Sequence, residues 1–301
     1  MGYSMRAVLQ RLVGQFSVRS SAQAVPSSRT FVPPGDYYSP IPSLEDVRSR
    51  HERIFDRAVR SLPGIDLNEA AQLQLLGAFG RYYGDLPFTR QQTPENRYYF
   101  DNAFYSYGDA ITLYSMIRHV EPRRIVEVGS GFSSAVMLDT NARFFSDGIR
   151  CTFIEPYADR LRSLLRESDA VDLLEQKVQD VPLSMFEQLQ ANDILFIDST
   201  HVSKTGSDVN HLIFEVLPRL QRGVYVHFHD VFYPFEYPED WVYEGRAWNE
   251  DYLLRAFLQY NAAFQIMFFS SYIFQFHADA ARAQMPLFMN NPGGGLWVRR
   301  A

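Results

Sequence analysis

The sequence predicts a doubly wound α/β fold, in which helices cover both faces of a mostly parallel sheet. After residue 120, short apolar runs alternate with segments of helical period, and this alternation is typical of parallel strands joined by crossover helices. A clear helix is predicted at 207–217, where apolar residues recur at helical spacing. The strand candidates are IVEV from residue 125, CTFI from 151, ILFI from 194, VYVHF from 224 and FQIMFF from 264.

The composition limits the class of protein and the partners it can have. Of the 301 residues, 46% are hydrophobic and 21% are charged, which is typical of a globular chain. The formal net charge of -6 argues against nucleic-acid binding, which needs clustered Lys and Arg, so a small-molecule partner is expected. The single cysteine, Cys151, fits a reducing compartment such as the cytoplasm. No apolar run is long enough to predict a membrane span.

Two segments precede the predicted sheet. Residues 1–35 contain four arginines, six serines and no acidic residue, and we expect a mobile N-terminal arm. The same mixture is typical of an organellar transit peptide, so an organellar location is the alternative to a cytoplasmic one. Residues 36–104 are predicted to form a helical subdomain, because apolar residues keep helical spacing over 43–83. This subdomain would cover the substrate or build a homo-oligomer interface.

A glycine-containing turn follows the first predicted strand. Gly129, Ser130 and Gly131 come directly after IVEV and lead into a helical stretch. Glycines let a ligand approach the backbone, and a helix start offers free N–H groups to it. Glu155 closes the second strand, where a carboxylate can bind both ribose hydroxyls of a nucleoside. The pattern predicts nucleoside binding, and an NAD-dependent oxidoreductase is one interpretation of it.

Two details favour a sulfonium nucleoside over NAD. The third position of the dinucleotide fingerprint is Ser134 instead of Gly or Ala, and Glu127 would repel a pyrophosphate while suiting a cationic ligand. Here the chain resembles the class I S-adenosylmethionine-dependent methyltransferases, whose motif of acid, apolar, Gly, x, Gly is matched by EVGSG at 127–131. The resemblance covers residues 105–301. It implies S-adenosyl-L-methionine as cofactor and a seven-stranded Rossmann-like methyltransferase fold with an N-terminal helical extension.

The resemblance also implies further cofactor contacts. Asp180 follows the third strand, at a place that lies near the adenine in such enzymes. Gly108 and Asp109 begin the helix before the first strand and match a Gly-Asp-Ala segment that holds the methionine end of the cofactor in catechol-type O-methyltransferases. The structural alternative for Asp109 is an ordinary acid in a first helical turn. The predicted cofactor-binding set is Gly108, Asp109, Glu127, Gly129, Ser130, Gly131, Glu155 and Asp180.

Polar residues end the fourth and fifth predicted strands. Asp198 and His201 follow ILFI, and His229 and Asp230 follow VYVHF. Ligands of open α/β sheets bind beyond the carboxyl ends of the strands, so we expect these side chains to meet. Asp198, His229 and Asp230 are predicted to hold a divalent cation. Catechol-type enzymes have aspartate where this chain has His229, which leaves Mg, Mn or a softer ion open. The structural alternative is a set of hydrogen-bonded wall residues without a metal.

His201 and Asp198 are the predicted catalytic residues. A histidine titrates near neutral pH, so His201 is suited to take the proton of an acceptor hydroxyl as general base. The expected reaction is O-methylation of a saccharide or a small hydroxylated natural product, assisted by the cation if one is bound. A non-catalytic cofactor-binding subunit is the remaining alternative.

Two stretches are rich in aromatic residues. Six of the 14 residues at 94–107 are aromatic, and so are seven of the 17 at 232–248. Aromatic walls give flat, rigid contact to sugars and rings, which predicts a substrate pocket with an aromatic lid over 232–250. The alternative is that these side chains fill a hydrophobic core.

Overall fold

The computed structural model describes residues 30–301. Most of the predicted N-terminal arm, with its alternative as a transit peptide, lies in residues 1–29 and therefore outside the described residues. The chain divides into two compact units, Met1–Leu44 and Glu45–Ala301. The described part of the first unit is a run of turns, closed by a hydrogen bond of 3.1 Å from the Gly35 amide to the Ile41 carbonyl. Proline-rich sequence favours such turns, because each proline fixes its own φ.

The second unit contains one sheet of seven strands in the order β3-β2-β1-β4-β5-β7-β6. The strands β1 to β5 pair in parallel, and β7 runs antiparallel to both β5 and β6. The predicted doubly wound, mostly parallel seven-stranded sheet is confirmed. The strands are β1 Arg124–Val128, β2 Arg150–Ile154, β3 Asp172–Leu174, β4 Ile194–Ile197, β5 Tyr225–His229, β6 Phe264–Phe269 and β7 Gly295–Arg300.

Helices precede the sheet and connect its strands. Two short helices and the longer helix Glu69–Tyr83 lie within the segment predicted to be helical at 43–83. The predicted helix 207–217 forms as an α turn followed by a π turn, and Ser207 caps it by accepting the Asn210 amide. The α-helices are Leu44–Ser49, His51–Ile54, Glu69–Tyr83, Tyr107–Val120, Phe132–Phe145, Asp159–Leu164, Ser184–Glu187, Asp208–His211, Glu239–Tyr243, Glu250–Leu258, Ser270–Phe276 and Ala278–Gln284.

The helix Glu69–Tyr83 packs against the helix Tyr107–Val120 and against β6. Phe79 is fully buried, and its ring centroid lies 5.1 Å from that of Phe268. Buried aromatic contact of this kind makes the helix part of the main core. The predicted role of 36–104 as a substrate cover or oligomer interface stays a prediction.

The central strands place polar residues at one edge of the sheet. β4 and β5 are buried along their whole length, as expected for parallel strands covered on both faces. Parallel pairing of β1, β4 and β5 brings their carboxyl ends side by side. The Asp198 amide donates to the Val128 carbonyl at 2.8 Å and ties the first two ends together. Among the described residues, no helix is long and apolar enough to cross a membrane.

Candidate functional site

The chain turns sharply after β4 and at the end of β5. His201 has a φ of 60° and Asp230 a φ of 54°, both in the left-handed region that non-glycine residues rarely occupy. Strict alternation would have placed His229 and Asp230 on opposite faces of the sheet. The left-handed turn instead brings His229 Nε2 to 3.6 Å from Asp230 Oδ1. Strained backbone is often found at functional sites, and here it gathers the predicted reaction-centre residues.

His201 lies at the centre of this cluster. Its Nε2 atom is 3.4 Å from Asp198 Oδ1 and 4.0 Å from Asp230 Oδ2. Its Nδ1 atom is 2.9 Å from Glu250 Oε2. The imidazole is therefore held between carboxylates on both of its nitrogens. Sequence reasoning missed Glu250, which is distant along the chain and marked only by its position at the end of the aromatic stretch.

Opposite charges set the protonation states of this centre. Burial would lower the pKa of His201, but hydrogen bonds with Asp198 and Glu250 outweigh it and raise the pKa well above its usual range. Burial would likewise raise the pKa of Asp198, but His229 and His201 hold it below its ordinary value. At neutral pH the free protein therefore carries a protonated His201 beside an ionised Asp198.

Asp109 joins the cluster from the start of the helix Tyr107–Val120. Its Oδ1 atom lies 4.0 Å from His229 Nδ1 and has no hydrogen-bond partner. Burial raises the pKa of Asp109 to about 7. The pKa of His229 is also raised, because Asp230, Asp198 and Asp109 outweigh the effect of burial. The predicted cofactor residue Asp109 and the predicted reaction centre therefore form one site.

Glycine is required at position 108 because the segment containing Asn291 and Pro292 packs directly against it. Its amide donates to the Asn291 carbonyl at 2.7 Å, and a Cβ at position 108 would lie 2.3 Å from the Pro292 carbonyl oxygen. Any side chain there would displace the loop that leads into β7. The geometry thus gives Gly108 a packing role, and its contact with the cofactor stays a prediction.

Gly129 is required by the neighbouring strand. Its φ is 79°, and a Cβ at this position would lie 2.0 Å from the Asp198 carbonyl oxygen. Gly131 is less restricted, since its backbone is extended and a Cβ there would lie 3.2 Å from the flexible side chain of Arg160. Gly129 therefore allows β1 and β4 to end side by side, whereas a small side chain at position 131 would contact only the flexible Arg160.

The carboxylate of Glu127 faces the protein and not the turn's outer surface. The side chain is fully buried, accepts hydrogen bonds from the hydroxyls of Ser133 and Ser134, and has its pKa raised by burial to about 8. It therefore stabilises the start of the helix Phe132–Phe145. The predicted role of Glu127 in binding a cationic ligand stays a prediction.

Glu155 holds the turn from the end of β2. Its two carboxylate oxygens accept the amides of Ser130 at 3.1 Å and of Tyr157 at 2.8 Å, and the side chain is partly exposed. A carboxylate at this edge suits ribose hydroxyls. Asp180 is exposed on the turn Val178–Asp180, and among the described residues no hydrogen bond joins its side chain to the other predicted cofactor residues.

The predicted cation site does not fit the side chains as they are arranged. Within residues 30–301, no group of three or more His, Cys, Asp or Glu side chains could hold a metal ion. The Nε2 atom of His201 lies between Asp198 and Asp230, 3.4 Å and 4.0 Å from their carboxylate oxygens, so the imidazole occupies the space between the two predicted acidic ligands. A site formed by Asp198, His229 and Asp230 is not confirmed.

The aromatic residues of 232–250 build a wall beside His201. The Trp248 ring centroid lies 4.4 Å from that of His201, and Trp241 contacts Trp248 edge to face at 5.4 Å. The guanidinium of Arg246 lies 4.2 Å above the Trp241 ring. All three side chains of this wall are partly exposed, so a ligand could reach them.

The first aromatic stretch differs from the wall. Tyr98, Phe100 and Tyr105 are almost fully buried and belong to the main hydrophobic core. The hydroxyl of Tyr105 donates to the Asp109 carbonyl at 3.2 Å, and its ring lies 5.2 Å from His229. The core alternative therefore describes three of the six aromatic residues of 94–107, whereas Tyr99 and Tyr107 are half-buried and Phe104 is exposed.

Comparison with known proteins identifies the domain. Residues 126–231 match a family model described as "Methyltransferase domain". Over 180 residues the chain is 44% identical to an uncharacterised protein of Archaeoglobus fulgidus, covering 58% of this chain and 80% of that protein. The matched region of the family model contains the glycine turn, Glu155 and the strand ends of β4 and β5.

Two solved structures are similar at low identity. The methyltransferase PaMTH1 of Podospora anserina, solved with SAH, is 13% identical with a TM-score of 0.42, covering 87% of this chain and 98% of that chain. The O-methyltransferase TomG of Streptomyces achromogenes, solved with SAM, is 16% identical with a TM-score of 0.41, covering 85% and 96%.

The family match agrees with the sheet order and with the EVGSG turn at 127–131. The alternatives of an NAD-dependent oxidoreductase and of a non-catalytic subunit are set aside by it. The chain belongs to the class I S-adenosylmethionine-dependent methyltransferases.

Proposed function

We propose that the protein methylates a hydroxyl oxygen of a small acceptor, with His201 as the general base. One observation carries this proposal: the imidazole is fixed by Glu250 on one side, while its Nε2 atom faces the ends of β4 and β5. A base in that position can take the proton of a hydroxyl held beyond the sheet edge.

The residues around the glycine turn suit a cationic sulfur nucleoside. Bound S-adenosyl-L-methionine supplies an electrophilic methyl group on a positively charged sulfur. Glu155 has a partly exposed carboxylate at the end of β2, which suits ribose hydroxyls, and Asp109 has a buried oxygen without a hydrogen-bond partner next to His229. Asp198 stays ionised at this edge, because His229 and His201 hold its pKa below its ordinary value, and a negative charge there suits a cationic ligand.

The raised pKa of His201 has a consequence for the reaction. A general base must be neutral, whereas the free protein holds this imidazole protonated. A positive charge bound nearby lowers the pKa of a histidine, because a second cation at short range is penalised. Ligand charge and proton release from His201 are thus expected to be coupled.

The aromatic wall of Trp241 and Trp248 supports a flat acceptor. A saccharide face or the ring of a hydroxylated natural product could lie against these indoles, within reach of the neighbouring His201. Arg246 adds a positive group at the outer end of the wall. The lid over 232–250 is part of this proposal.

Calorimetric titration with S-adenosylhomocysteine tests the cofactor assignment. We expect binding to the wild-type protein and weaker binding to Glu155→Ala, by about 1–3 kcal/mol for the lost hydrogen bonds. A panel of sugars and phenols with labelled cofactor then tests for methylated products by mass spectrometry. Absence of cofactor binding would overturn the proposal.

Metal assistance is tested in the same assay. EDTA and added Mg²⁺ or Mn²⁺ are compared at equal cofactor and acceptor concentrations. Because the side chains around His201 do not fit a cation, we expect equal turnover with and without EDTA. A loss of turnover that Mg²⁺ restores would return Asp198, His229 and Asp230 to the role of metal ligands.

A further inference from the structure

We infer that Glu250 is the positioning residue of this centre, and that it fixes which nitrogen of His201 faces the acceptor. The inference rests on the proposed function for its catalytic meaning. The contact itself is a property of the folded chain and can be measured without an acceptor.

The carboxylate of Glu250 is enclosed by protein. The residue is 2% exposed, and its Oε2 atom lies 2.9 Å from His201 Nδ1. The hydroxyl of Ser199 lies 3.1 Å from one carboxylate oxygen and 3.0 Å from the other, as a donor to them. The same Ser199 oxygen accepts the His201 amide at 3.0 Å. Three residues thus hold one another through four short contacts.

The backbone supports the same arrangement. The His201 carbonyl accepts the amides of Asn249 at 3.0 Å and of Glu250 at 3.2 Å. The first turn of the helix Glu250–Leu258 is therefore bonded to the main chain of His201, and the side chain of Glu250 contacts the imidazole of the same residue. Trp248 packs on the imidazole ring from the adjoining position, with ring centroids 4.4 Å apart. Both the ring plane and the main chain of His201 are determined by residues 248–250.

This arrangement decides the role of each ring nitrogen. A carboxylate only accepts, and the Nδ1 contact with Glu250 at 2.9 Å is shorter than the Nε2 contact with Asp198 at 3.4 Å, so the neutral imidazole keeps its proton on Nδ1. When the imidazole is neutral, its lone pair is then on Nε2, which faces Asp198 and Asp230. Buried hydrogen bonds of this kind are stronger than exposed ones, because the surrounding dielectric is low. Without Glu250, the wrong tautomer would point a proton at the acceptor.

The test compares Glu250→Gln with Glu215→Gln. Glutamine keeps the shape of the side chain, but its neutral amide oxygen accepts Nδ1–H more weakly than a carboxylate does, and its NH2 group can donate to Nδ1 instead. Glu215 is an exposed acid that pairs with Arg219, and it serves as the matched control. Nitrogen-15 histidine labelling gives the His201 ring signals, assigned by their loss in His201→Gln. The second readout is the titration with S-adenosylhomocysteine, and the third is kcat against KM for any acceptor that the panel identifies.

We expect a downfield, slowly exchanging Nδ1–H signal in the wild type and in Glu215→Gln, and its loss in Glu250→Gln. Affinity for S-adenosylhomocysteine should stay within roughly twofold, while kcat falls roughly 100-fold or more and KM changes little. An unchanged His201 signal in Glu250→Gln would overturn the inference. If the wild type binds no S-adenosylhomocysteine, the proposed function is wrong. The His201 ring signals still test the contact between Glu250 and Nδ1 in that case.

A second variant covers the case in which Glu250→Gln does not fold. Ser199→Ala removes the hydroxyl that supports the Glu250 carboxylate but leaves the acid in place. We expect the Nδ1–H signal to move in the same direction by a smaller amount, with faster exchange. The same signal in Ser199→Ala as in the wild type would contradict a carboxylate held in place by Ser199.

Discussion

The glycine turn after β1 lies beside the ends of β4 and β5, but the two regions differ in how their charged side chains are hydrogen-bonded. In the turn, Glu127 is bonded to the hydroxyls of Ser133 and Ser134, and Glu155 accepts two amides. At the strand ends, Asp109 Oδ1 and His229 Nδ1 have no hydrogen-bond partner. The two acids of the first region are bonded within the protein, and these bonds maintain the shape of the turn. The second region has charge and unmet hydrogen-bonding capacity for a ligand.

The largest effect should come from filling the turn. Gly129→Val places a Cβ at a φ of 79° and 2.0 Å from the Asp198 carbonyl oxygen, so β1 and β4 cannot keep their ends together. We expect a loss of about 3–5 kcal/mol in the free energy of unfolding, measured by urea denaturation. Gly131→Ala is the matched control, with an expected loss below about 1 kcal/mol. Equal losses in both variants would contradict the distinction between the two glycines.

Removing the proposed base should slow catalysis and spare cofactor binding. We expect His201→Gln to lower kcat by roughly 10²–10⁴-fold, the usual contribution of general base catalysis. Its affinity for S-adenosylhomocysteine, measured by calorimetry, should remain similar to that of the wild type. Full turnover in His201→Gln would remove this residue from the reaction.

The pH dependence sharpens the contrast between the regions. His201 must lose its proton to act as base, and its pKa is raised by Asp198 and Glu250 over the opposing effect of burial. We therefore expect kcat/KM to rise about tenfold per pH unit from near pH 6.5 up to the raised pKa, and to level off above it. A rate that is flat or falls as the pH rises through this range would show that neutral His201 is not needed.

The smallest effect concerns the histidine two residues before His229 on the same face of β5. His227 is stacked between Phe196 and Trp297, has no partner for either ring nitrogen, and has its pKa lowered well below the usual range by burial. In the unfolded chain His227 is protonated below about pH 6.5, whereas in the folded chain it stays neutral. The free energy of unfolding therefore falls as the pH falls below that value.

We expect His227→Phe to remove this dependence, which amounts to roughly 1.4 kcal/mol per pH unit. Thermal unfolding of both proteins at several pH values between about 5 and 8 checks it. Identical slopes in the two proteins would mean that His227 is not held neutral by the fold.

The sequence predicted the elements whose burial produces an apolar pattern. It did not predict contacts between segments that are distant along the chain. IVEV and ILFI were predicted as strands because parallel strands covered on both faces are continuously apolar. β3, Asp172–Leu174, has only three half-buried residues, too few to form an apolar run. Glu250 was missed because nothing in the spacing of residues shows that the 232–250 segment returns to His201.

The glycine turn shows the same limit in another form. Its place after β1 and its glycines were predicted correctly, but the reason for Gly129 was not visible. Only the structure shows that the Asp198 carbonyl of the neighbouring strand occupies the space of a side chain. Likewise, the direction of Glu127 depends on the hydroxyls of the following helix turn. Residue types predicted a candidate site at this edge of the sheet, and tertiary contacts show how each residue is held there.

The most direct measurement is a crystal structure of the protein with S-adenosylhomocysteine. We predict the ribose hydroxyls at the Glu155 carboxylate, the nucleoside beside Gly129–Gly131, and the sulfur at the edge of the sheet next to His201. Ligand bound away from the ends of β1 and β4, or no ligand at saturating concentration, would contradict the proposal that this edge of the sheet is the methyl-transfer site.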